Sequence, residues 1–70
     1  MVKRGIITEF NGEYGIIKCE SEIVDFEKDD LSTPVNVGDT VEYREERGDY
    51  LIIARNIKVV KEWKIILKKK

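Results

Sequence analysis

Side chains able to do chemistry are few in this 70-residue chain. There is no His and a single Cys, Cys19, which leaves no means for His-based acid–base catalysis, a Cys–His nucleophile, a zinc site or an internal disulfide. The 14 carboxylates are scattered, and no spacing brings two of them to acid–base distance. Asp29-Asp30 lacks the downstream ligands of a calcium loop and reads as a solvated turn. No Gly-rich phosphate loop is present. No catalytic residue, metal or cofactor is therefore expected, and the chain reads as a binding module rather than an enzyme. What remains is charge. Residues 1–54 carry six basic and 13 acidic side chains, a net of −7, whereas residues 55–70 carry seven basic and one acidic, a net of +6. Within that basic segment Lys58, Lys61 and Lys64 recur at regular intervals with Trp63 among them. Such residues attract a phosphate backbone and stack on a base, although the same pattern also suits a solvated, locally packed terminus.

The elements that must carry these residues are short. Seventy residues make one domain, small enough to bury only about 60% of the surface its unfolded chain exposes. Val2–Phe10 is rich in β-branched residues and lacks helical periodicity, which predicts a strand. Asn11-Gly12 between apolar runs predicts a type I′ hairpin turn, with φ > 0 at both residues, leading into a second strand, Tyr14–Cys19. Gly15 interrupts that strand and marks a bulge or a close backbone approach. A third strand is expected over 22–26 with Val24 inward, then a helical or 3₁₀ turn within 26–32 anchored by Leu31. Pro34 breaks structure. Residues 40–46 alternate cleanly, with Val41 and Tyr43 on one face and Glu42 and Arg44 on the other. A fifth strand over 50–59 has Leu51, Ile53 and Ile57 as core candidates. Five short strands separated by turns predict a small closed barrel over residues 1–59. Residues 60–70 form a basic amphipathic segment that fits either a short helix or a continuing strand.

Taken in order, these residues resemble a cold-shock domain. Gly5-x-Ile7-x-x-Phe10-Asn11 followed by Tyr14-Gly15-x-Ile17 is similar to the family's Gly-x-Val-Lys-Trp-Phe-Asn and Lys-Gly-Phe/Tyr-Gly-Phe-Ile. Val24-Asp25-Phe26 resembles its Val-His-Phe. The stretch from Val37 to Tyr43 resembles the opening of the fourth strand, and Ala54-Arg55-Asn56-Ile57 that of the fifth. The first hairpin also resembles the cold-shock-like domains of Armitage-type germline RNA helicases and their testis-antigen relatives. The resemblance implies an all-β, five-stranded antiparallel OB-type barrel, with a short C-terminal helix as one option for its end.

It also implies a non-enzymatic module for single-stranded nucleic acid, RNA above all; separately, with no apolar run of transmembrane length and no signal-peptide core, the expected location is cytoplasmic. In the family, outward aromatics stack on successive bases; the positions retained here are Phe10, Tyr14 and Phe26, joined by Lys58, Lys61, Trp63 and Lys64 as candidate backbone and base contacts. The family's Trp is Glu9, and two further aromatic positions are Ile16 and Ile23. The family's His is Asp25. Carboxylates at Glu9, Glu13 and Asp25 repel phosphate, so affinity through this face is expected to be weak. The alternative is a protein-interaction module, in which Ile16, Ile23, Trp63 and Ile66 dock a partner or a second copy. A membrane contact is the least favoured partner.

Overall fold

Alternating side chains only make a core if the sheet they belong to closes around one face. The computed structural model describes residues 2–60, which form β1 (Val2–Phe10), β2 (Tyr14–Cys19), β3 (Glu22–Glu27), β4 (Thr40–Arg47) and β5 (Ile52–Val59), with one 3₁₀ turn, Lys28–Asp30. The strands neighbour one another in the order β1-β2-β3-β5-β4, and β4 pairs back onto β1 to complete a barrel. Four seams are antiparallel and the β3–β5 seam is parallel. A closed ring of five strands cannot alternate direction throughout, so one parallel seam is obligatory. Lys61, Trp63, Lys64 and Ile66, and the question of helix or strand for the chain's end, lie outside the described residues.

Ile7, Ile17, Val24, Val41, Tyr43, Ala54 and Ile57 fill the barrel, each 1% exposed or less, with Phe26 and Val35 at its margin. Leu31 packs against this core as expected, and its bridge to Ile57 extends the parallel seam. Ile57 is a core residue as expected, but the phase expected ahead of it on β5 is not kept. Ala54 and Ile57 are buried, whereas Leu51 is 47% exposed and Ile53 only partly covered. The cause is a bulge. Two steps on β4, Glu42 to Arg44, face three on β5, Lys58 to Arg55, and Asn56 within that span takes φ 53. The extra residue breaks strict alternation.

The first connection also departs from a type I′ turn. Gly12 has φ 98, but Asn11 is not in the left-handed region. Instead its side-chain oxygen accepts the N–H groups of Glu13 and Tyr14, both at 2.9 Å. This local side-chain turn competes successfully with the backbone one. In the next hairpin Glu20 takes the left-handed conformation, at φ 58.

Gly15 is a close approach and not a bulge; β1 carries the irregularity, between Ile7 and Glu9. Phe10 and Phe26 are the partners of Gly15 on either side. A Cβ on Gly15 would fall 2.2 Å from Phe26 Cζ and 2.7 Å from the Glu9 carbonyl oxygen. The Phe26 ring fills the space that a side chain at position 15 would take, and it meets Phe10 with centroids 5.5 Å apart. Burying a Phe side chain contributes roughly 2–3 kcal/mol.

At another part of the barrel, Lys3 and Arg47 bind Glu22 and Glu45. The Lys3–Glu45 contact is 2.8 Å and Arg47–Glu22 3.1 Å. Lys3, followed by Arg47, holds the Glu45 carboxyl below its ordinary range, against the opposing effect of burial. Nearby, burial, then the Cys19 thiol and the Glu45 carboxylate, push the Tyr43 phenol up.

Two outcomes follow from these contacts. Gly15→Ala forces the Phe26 ring or the β1 backbone to move and lowers the unfolding free energy by about 1–3 kcal/mol, measured by urea denaturation. For Glu45, a folded pKa below the unfolded one means that its stabilisation is present above the model-compound value of 4.5 and is lost as pH falls through the folded pKa. Glu45→Gln therefore flattens the fall in melting temperature over that acidic window, while leaving the other carboxylates to titrate.

Candidate nucleic-acid interface

The outer face of β1–β3 is built from residues in the opposite phase to the core. One row across the sheet runs Glu9, Ile16, Asp25 and Ile53. A second runs Ile6, Lys18 and Ile23, and Tyr14 stands opposite Glu27. Tyr14 is 62% exposed. It borders a cleft of about 240 Å³ that is also lined by Asp25, Glu27, Leu51, Ile53 and Arg55, with Phe26 and Asp30 reaching it from below. A shallower depression beside Glu9, Phe10 and Ile16 shares Tyr14, Gly15 and Asp25 with that cleft, so the two form one trough.

The three aromatics singled out from the sequence are thus divided. Tyr14 presents its ring to solvent. Phe10 is half-buried against Phe26. Phe26 is 2% exposed, so its ring faces are not open to a base, and its role is to support the trough. The physical reason is register: Phe26 shares the inward phase of Val24 and lies over Gly15. Ile16 is partly covered and Ile23 is 63% exposed. They are diagonal neighbours, and Asp25 and Lys18 interrupt the apolar patch they make. Lys58 pairs with Glu42 on β4 and lines a separate depression with Val2, Ser32 and Arg44. It does not share the Tyr14 trough.

The trough is electronegative. Arg55 is its one cation among the described lining residues, and that guanidinium is already engaged. Its Nε donates to Glu46 at 2.7 Å and its Nη1 to Asp30 at 2.8 Å. Glu46 first, then Asp30, raise the Arg55 pKa, so it stays charged. Asp30 was expected in a solvated turn, but it is 8% exposed. Its second oxygen accepts the Glu27 N–H at 2.9 Å, so both oxygens are satisfied. No group of His, Cys, Asp and Glu suited to a metal occurs among the described residues.

Sequence reasoning missed Leu51, Ile53 and Arg55 as components of this surface. The available signal was the run of large residues entering β5, which an uninterrupted period of two assigns to the core.

The division of aromatics has a measurable consequence. Phe26→Ala costs about 3–5 kcal/mol of stability, whereas Tyr14→Ala changes it by less than about 0.5 kcal/mol, both read from chemical denaturation.

No family model matches the sequence, and no curated protein matches it. Among solved structures, the cold-shock-domain segment CSD456 of Drosophila Unr is similar to this chain, with a TM-score of 0.76 at 18% identity. The match covers 89% of this chain and 28% of that one. The architecture is accordingly that of a cold-shock, OB-type barrel.

Proposed function

We propose that this chain is a non-enzymatic, cytoplasmic binding module that takes single-stranded nucleic acid, RNA above all, with modest affinity. The observation carrying this reading is Tyr14, an exposed ring on the outer face of a cold-shock barrel. A base stacks on Tyr14 with the edge of Phe10 beside it, over the apolar walls of Leu51 and Ile53. Stacking of this kind tolerates sequence and contributes about 1–3 kcal/mol per base. Glu9, Asp25 and Glu27 turn the phosphates away from the trough. The backbone is instead drawn by Lys58 and the cations Lys61 and Lys64, with Trp63 as a further ring. Kinship with the Armitage-type domains stays a reading of the 5–17 hairpin.

One observation favours a second reading. Ile23 and Ile6 are exposed in a row with Lys18, which suits contact with a protein partner or a second copy better than contact with phosphate. Ile16, Trp63 and Ile66 belong to the same reading.

Fluorescence anisotropy with a labelled pyrimidine-rich single strand separates the two. For the nucleic-acid reading, Tyr14→Ala lowers affinity by about tenfold, and binding falls steeply with added salt. No binding at low salt, together with concentration-dependent dimerisation relieved by Ile23→Lys, establishes the protein reading instead.

A further inference from the structure

The bulge in β5 decides what the outer face of β4 and β5 displays. Counted by twos from the buried Ala54, Asn56 and Lys58 would point inward. With one extra residue, and Asn56 at φ 53, Ile57 is buried instead and Asn56 and Lys58 both stand outside. They join Arg44, outward on β4, and Ser32, whose N–H holds it against β5 by donating to the Ile57 carbonyl at 2.7 Å. These four side chains line one depression of about 340 Å³, together with Glu42, Val2 and Tyr43. Bulges re-aim side chains at functional surfaces in this way.

The chemistry of that lining is one-sided. Among the described residues, Arg44 and Lys58 make no ion pair or side-chain hydrogen bond, and neither do the Asn56 carboxamide and the Ser32 hydroxyl. All four are hydrogen-bond donors. Glu42 is the one carboxylate in the lining, and Arg4 holds it, with Nη2 at 3.0 Å and Nε at 3.1 Å. Two positive charges are left uncompensated. Lys18 is also unpaired, but its depression carries the Glu20 carboxylate, and Arg55 in the trough is held by Glu46 and Asp30. We propose that the depression at the β5 bulge is a phosphate-binding subsite, with Arg44 as a forked donor, Lys58 as a point charge, and Asn56 and Ser32 as neutral donors. The phosphate belongs either to a single-strand backbone or to a free phosphate ester. The backbone source rests on the nucleic-acid reading above. Ile53 of the trough and Asn56 lie three residues apart on β5, about 10 Å, so one strand with a base on Tyr14 spans both.

The test follows the Arg44 Nε–Hε, Asn56 side-chain amide and Ser32 amide NMR signals of the full chain during titration with inorganic phosphate, with chloride at matched ionic strength as reference. All three are expected to shift with phosphate and not with chloride. Arg44→Gln, at an exposed position, weakens the phosphate affinity read at Asn56 by about tenfold. Phosphate shifts no larger than those with chloride, or unchanged in Arg44→Gln, overturn the subsite. A short pyrimidine-rich single strand then identifies the source. Movement of these signals together with Tyr14, and a slope of log affinity against log salt reduced by about 0.7 in Arg44→Gln, assigns the phosphate to the strand. Strand binding at Tyr14 that leaves the subsite unmoved, while inorganic phosphate moves it, assigns a free phosphate ester. No strand binding at all removes the nucleic-acid reading and leaves the phosphate result standing, so the two failures are told apart.

Discussion

Packing of Phe26 over Gly15 is the constraint on which this barrel turns. Because position 15 has no side chain, the Phe26 ring from β3 reaches across β2 and meets Phe10 of β1. Three strands are tied together by one ring in the space of one missing Cβ. That contact fixes register as well as filling volume. A slip of one residue in either pairing exchanges inside for outside along the whole strand, bringing a side chain from β2 against the Phe26 ring. With Phe10, Gly15 and Phe26 held in the inward phase, Tyr14, Ile16 and Asp25 are necessarily outward.

The outer face inherits its chemistry from that arrangement. One exposed tyrosine stands among carboxylates, and Arg55 is engaged by Glu46 and Asp30. Holding Asp30 in the barrel wall occupies the cation, and that cation in turn is withdrawn from any phosphate. A groove for single strands ordinarily pairs stacking rings with free cations; here the two ingredients are separated, with the ring on β2 and Lys58 beside Glu42 on the β4–β5 side. On the proposed reading, affinity through the trough alone is limited by electrostatics rather than by lack of a platform.

Much of the architecture was legible in the sequence. Strict alternation at Val41, Tyr43 and their neighbours fixed the inward face of β4, and β1 and β2 run over the bounds read from composition and turn residues. Two features were hidden. Asn56 introduces an extra residue into β5, so Ala54 and Ile57 point inward three apart, and no two-residue period detects this. Asn11 uses its side chain where a backbone turn was expected. Among the site residues, Tyr14 stands where the sequence suggested, while Phe26 does not, because motif position alone cannot distinguish a ring over a glycine from a ring offered to solvent. Leu51 and Ile53 joined the surface for the same reason that they left the core.

We propose that nucleic acid is taken at the Tyr14 trough of a cold-shock-type barrel, with charge supplied from elsewhere. A two-dimensional amide NMR titration with a short pyrimidine-rich single strand, at low and at moderate salt, tests it most directly. Expected are perturbations at Phe10, Tyr14, Asp25 and Ile53 together with the 58–70 segment, the latter fading first as salt rises. Perturbations absent from every one of these residues at low salt, or confined to the Ile6–Lys18–Ile23 row, contradict it.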